Sequence, residues 1–176
     1  MNAIIPAIIA LLILSGCQAL PMATMDHDNG ASHDGDHAAM TERQAEVAAK
    51  GAEVMPFDLD ATTHIFEKTA EGGLQQVIAD NPDDTEQIAL IRTHLAEEAA
   101  RFQQGNFHDP AMIHGGDMAG LHALMMGADQ IEITYSDLPD GAQILYTTTD
   151  ADLVDAVHSW FDAQVSDHGQ HAQGQR

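Results

Sequence analysis

Four of the eleven histidines in this 176-residue chain fall on segments of regular hydrophobic pattern. His64 lies in a β-prone run, alternates with Ile65 and shares a face with Phe66. His94 borders an apolar helical stripe, with Glu98 one turn further on. His158 lies at the margin of the last helical pattern with Asp162 at i+4, while Gln164 and His168 fall on the apolar face itself. Imidazole is neutral near pH 7 and keeps a lone pair for a metal, and rigid elements position ligands better than loops. A carboxylate one turn from an imidazole shares the ion, orients the ring, or acts as a general base. The same spacing also suits a boundary ion pair with no metal. What favours a site is that Gln164 and His168 interrupt one apolar face together, because a polar group turned toward a core needs a partner or a ligand. His64, His94 and His158 are therefore expected to converge on one ion. His168 and Gln164 should line that site, with Glu98 and Asp162 supporting it.

A second group lies between Asn106 and Gly127: His108, Met112, His114, Met118 and His122. His114, Met118 and His122 join the candidate ligands. Imidazole with thioether is a soft-to-intermediate set that suits copper better than magnesium or calcium. Zinc remains possible, although it would lean on cysteine, and the mature chain has none to offer. Methionine at helical spacing also fills cores, which is the reading for Met125 and Met126. No His-Glu-x-x-His, Cys-x-x-Cys, nucleophile elbow or phosphate loop is present.

Charge narrows the partners. Six basic residues against 28 acidic ones leave a net −22. No basic stripe can neutralise nucleic-acid phosphates, and adhesion to anionic lipid by charge is excluded on the same ground. Such a surface suits solubility, a saline habitat or a cation partner, and charge alone does not decide between them.

The elements that must hold these side chains are legible from pattern. Two β-prone runs, 63–69 and 74–79, flank the turn Glu71-Gly72-Gly73 and predict a hairpin. Asn81-Pro82-Asp83-Asp84 reads as a helix start, with Asn81 as cap, and the helix should run to about Gln104. Its buried stripe is Ile88, Ile91, Leu95, Ala99 and Phe102. A loop over 106–117 leads to a short helix capped by Asp117. Alternation around Ile131, Ile133 and Tyr135, the turn Leu138-Pro139-Asp140-Gly141, and Ile144 with Tyr146 predict a second hairpin. Asp150 caps a last helix whose buried face is Leu153, Val157, Trp160 and Phe161. The order β-β-α-α-β-β-α predicts an α+β two-layer sandwich, with a four-stranded, mostly antiparallel sheet and helices on one face.

Upstream, Leu14-Ser15-Gly16-Cys17 closes the charge-free apolar run Ile4–Leu14, which is too short to span a bilayer. The segment resembles a bacterial lipoprotein signal, although its first three residues carry no Lys or Arg. The resemblance implies cleavage before Cys17, acylation of its sulfur, and a mature protein tethered to a membrane in the cell envelope on the extracytoplasmic side. The lipid is then the only membrane attachment. The organisation expected is a signal over 1–16, an acidic tether over 17–53, one domain over 54–169 and a polar tail over 170–176. Within the tether, 41–53 is Ala/Glu/Gln-rich and helix-prone. His27, His33 and His37 either capture metal weakly or belong to a merely soluble linker.

Val54-Met55-Pro56-Phe57-Asp58-Leu59, Thr63-His64-Ile65-Phe66, Arg92-Thr93-His94-Leu95 and the segment from His158 to His168 resemble a small bacterial secreted family often labelled "aspartate carbamoyltransferase". The resemblance covers roughly Val54 to Gly169. A carbamoyltransferase needs two α/β domains and a Ser-x-Arg-Thr phosphate motif, and this chain has neither. The resemblance therefore implies a fold and a choice of histidines but no reaction. Three functions follow from the residues: a lipid-anchored copper-binding protein for storage, sensing or delivery; a small metalloenzyme on the same histidines; and a metal-free interaction domain.

Overall fold

The computed structural model describes residues 31–175, with side chains over 39–174. The signal segment, Cys17 and His27 lie outside the described residues. The chain forms helix α1 (Ala31–Val54), strands β1 (Thr62–Thr69) and β2 (Gly72–Ala79), and helix α2 (Thr85–Phe102). Short helices α3 (His108–His114) and α4 (Leu121–Met126) follow. Strands β3 (Glu132–Leu138) and β4 (Gly141–Thr147), helix α5 (Ala151–His168) and strand β5 (Ala172–Gln175) complete it. Among the described residues, no helix is long and apolar enough to cross a membrane.

The fold is α+β, built on one open mixed sheet with strand order β3-β4-β2-β1-β5. Both expected hairpins form, and β2 joins them by pairing antiparallel with β4. The expected four strands are five, because residues of the polar tail pair parallel with β1, Ala172 opposite His64. A four-residue edge strand with little apolar pattern leaves no signal in sequence.

One face of the sheet is buried: His64 and Phe66 on β1, Gln75 and Val77 on β2, Ile133 on β3, and Ile144 and Tyr146 on β4. Alternate residues face the other way and remain partly exposed, as strand periodicity requires. Helices α2 and α5 lay their apolar stripes on that face, and every expected stripe residue of both is buried. Trp160 of α5 stands edge-on to Phe102, Phe107 and Tyr146, with ring centroids 6.1, 5.9 and 5.6 Å away. These rings form the centre of the core.

Helix starts differ in detail. Asp84 caps α2, its side chain accepting from Gln87 N–H, whereas Asn81 accepts from Asp83 N–H in the preceding turn. Asp150 caps α5 as expected. Gly120, not Asp117, precedes α4; its φ of 77° and its approach to the Ala156 carbonyl leave no room for a Cβ. The expected 106–117 loop contains α3, with Pro110 inside its first turn. Helix α1 begins ahead of the helix-prone 41–53 segment and packs on α3 and α5, so the later part of the expected tether belongs to the folded unit.

Candidate functional site

A strand and a helix that run in opposite directions decide which histidines meet. His64 lies near the start of β1, and His168 ends α5. Their rings stack with centroids 4.8 Å apart and planes 15° from parallel. His114, at the end of α3, stands edge-on to His168 at 5.0 Å. His94 and Glu98, one turn apart on α2, complete the group with Nε2 and Oε1 3.9 Å apart. All five side chains, with Gln164, line an internal cavity of about 30 Å³. Met55, Phe57, Gln75 and Ile113 form further parts of its wall.

His158 belongs elsewhere. Its Nε2–H donates to the Thr69 and Gly72 carbonyls, both at 2.9 Å, and so staples the β1–β2 turn. The reason is length. Ten helical residues separate His158 from His168, about 15 Å at 1.5 Å per residue. Five strand residues separate His64 from Thr69, about 16 Å at 3.3 Å per residue. The two spans match, so His158 meets the far end of the strand whose near end carries His64. Asp162 is likewise outside the group and pairs with Lys68 at 2.5 Å. Met118 packs in the hydrophobic core, and His122 is exposed on α4. Of the candidate ligands in the central segment, only His114 reaches the cavity.

Electrostatics favour neutral imidazoles here. Burial pushes His64 down to about 4. Burial also lowers His94, His114 and His168, the last of them well below the ordinary value. Glu98 moves the other way: burial pushes its carboxyl up to about 8. Two buried polar atoms in the cavity wall, His64 Nδ1 and Gln164 Oε1, have no hydrogen-bond partner. Such atoms cost about 1–3 kcal/mol each unless a ligand or water satisfies them.

His114 is held from behind. Its Nδ1 lies 2.9 Å from Asp167 Oδ2, and Arg43 of α1 grips the same carboxylate through Nε and Nη2 at 3.1 and 2.7 Å. Arg43 also donates to the His114 carbonyl. Burial alone would raise Asp167, but the bonds from Arg43 and His114 outweigh it and hold the carboxyl below the usual range. A carboxylate on Nδ1 fixes the Nδ1–H tautomer and leaves the Nε2 lone pair available. Nitrogen-detected NMR of the imidazoles at neutral pH should therefore show His114 protonated on Nδ1, and Asp167→Ala should shift it to a tautomer mixture. A wild-type His114 protonated on Nε2 would rule out this orienting role.

As the side chains stand, no three His, Cys, Asp or Glu donors among the described residues are arranged to hold one metal ion. The stacked His64 and His168 rings face one another rather than a common point. A larger concavity of about 910 Å³ lies at the start of α5, but it is an open surface formed by turns and by Glu71, Asp129, Glu132 and Asp155. It contains no buried unpartnered group.

Gln164, His168, His64, His94 and Glu98 were all visible in sequence as polar residues on or beside apolar faces. Gln75 and Met55 were not; Gln75 occupies an inward strand position, and alternation with Leu74 and Gln76 is the signal that marks it. Arg43 carries no such signal, because it acts across 124 positions of sequence. No family model, curated protein or solved structure matches the chain.

Proposed function

We propose that the chain is a lipid-anchored envelope protein that binds one transition-metal ion, copper by preference, in the cavity between β1, α2, α3 and α5. His64, His94, His114 and His168 supply imidazole nitrogens, and Glu98 supplies a carboxylate. The observation that carries the reading is the 30 Å³ space ringed by four neutral imidazoles, with His64 Nδ1 and Gln164 Oε1 unpartnered beside it. A volume near that of one water admits an ion but not an organic substrate. Imidazole donors with the Met55 thioether in the wall, and no cysteine, suit copper. Binding requires the His64 and His168 rings to turn out of their stack, so the ion and the ring–ring packing compete. The space is too small for an organic substrate, which favours holding and delivering an ion over turning over a substrate.

The test is titration of chelator-treated full-length protein with Cu(II), Cu(I) and Zn(II), read by calorimetry and thermal unfolding. One equivalent should bind tightly and raise the midpoint, by linkage. His64→Ala and His168→Ala should each weaken binding by at least about 10–100-fold, the cost of losing even a ligand's supporting partner. His158→Ala and His122→Ala should bind like wild type. If the wild-type chain takes up none of these ions, the cluster is a packed polar core and the metal reading fails.

A further inference from the structure

We propose that the surface groove beside the cavity is the capture site and entry route for the metal cation, gated by Met55 and Phe57. This rests on the metal reading above and adds how the ion reaches the inner cavity. The groove encloses about 550 Å³ between the end of α1 and the start of α2. Met55 and Phe57 line both the groove and the inner cavity, so the two spaces adjoin at these side chains.

The two sides of that partition carry related chemistry. On the outer side stand Asp58, Asp60, Glu86 and His171. His171 Nε2 lies 3.5 Å from Asp60 Oδ1, with Asp60 exposed and His171 part-buried. Carboxylates on an acidic surface raise the local cation concentration and speed encounter, and an imidazole beside one selects transition metals from alkaline-earth ions. On the inner side, Phe57 packs on the rings of His64 and His94, with centroids 6.0 and 5.6 Å away. The unpartnered His64 Nδ1 and Gln164 Oε1 mark the inner cavity as the destination.

Met55 has the properties of a movable and chemically useful partition. It follows the last residue of α1, bonded back to the Gly51 carbonyl, and its half-buried side chain packs on the edge of the core. Its thioether is polarizable and its three rotatable bonds let it swing, which allows a soft cation to pass from carboxylate and imidazole outside to imidazole within. Pro56 and the short 3-10 turn Leu59–Ala61, capped by Asp58, fix the backbone around it.

Stopped-flow mixing of chelator-treated full-length protein with Cu(II), read by quenching of Trp160, the single tryptophan, separates the route from the centre. Met55→Phe, which adds no tryptophan, should slow both uptake and chelator-driven release about tenfold, as a gate in a path requires. Met55→Ala, which opens the partition, should speed both. Asp60→Asn combined with His171→Ala should slow uptake severalfold, and raised salt should reduce that difference. Wild-type rates in all three variants with binding intact would overturn the route while leaving the centre standing. Absence of binding by the wild-type chain would overturn both.

Discussion

Metal-free protein should be most stable near pH 6.5 and lose stability on both sides, far more steeply toward acid. Burial holds His64 at about 4 and also depresses His94, His114 and His168. Unfolding returns them toward 6.5, so below that pH the unfolded chain takes up protons that the folded chain refuses. Their contribution is present above pH 6.5 and lost as pH falls. For His64 alone the window from 6.5 to 4 corresponds to roughly 3 kcal/mol, at about 1.4 kcal/mol per unit. Glu98 works in the opposite sense. Burial lifts its carboxyl from 4.5 to about 8, so its contribution is full below 4.5 and lost as pH rises through 8. Between 4.5 and 6.5 four imidazoles outweigh one carboxyl; from 6.5 to 8 Glu98 acts alone. Urea unfolding in the presence of a chelator, repeated from pH 4.5 to 8.5, should trace this asymmetric dome. Glu98→Gln should flatten its alkaline limb and leave the acid limb in place. A profile flat from pH 7 down to 4.5 would show that these histidines are not buried in neutral form.

Trp160→Ala should cost about 3–5 kcal/mol, the range for truncating a large buried aromatic. The indole is fully buried and meets Phe102, Phe107, Tyr146 and Phe161, so its loss opens a hole where α2, α5 and the sheet converge. The cavity lies one to two turns along α5, and Gln164 and His168 depend on that helix keeping its seat. Trp160→Phe separates ring packing from the polar atom. Trp160 Nε1–H is buried without an acceptor, so the phenyl ring keeps most contacts and removes an unsatisfied donor. Its cost should be clearly smaller than that of the alanine variant, because only part of the indole volume is left empty. Equal losses for the two variants in chemical denaturation would contradict this placement of the indole.

Periodicity in the chain by itself determined the secondary structure that matters. Both hairpins, α2 and α5 follow from alternation, stripes and turn residues, since burying one face of each element is a local requirement that leaves a local pattern. The same requirement exposed Gln164 and His168 as intruders on an apolar face, and Glu98 beside His94. Tertiary structure alone decided which intruders meet. His158 and His168 look alike in sequence, yet ten residues of helix place them at opposite ends of β1, one stapling a turn and the other facing His64. His114 enters because Pro110 and Ile113 seat α3 against the cavity, and Arg43 arrives from a helix more than a hundred residues away to hold Asp167. Strand β5 forms because Gly169, at φ 56°, turns the chain back beside β1. Convergence of this kind depends on relative element lengths and on how far each helix runs along the sheet. No window of neighbouring residues encodes either quantity.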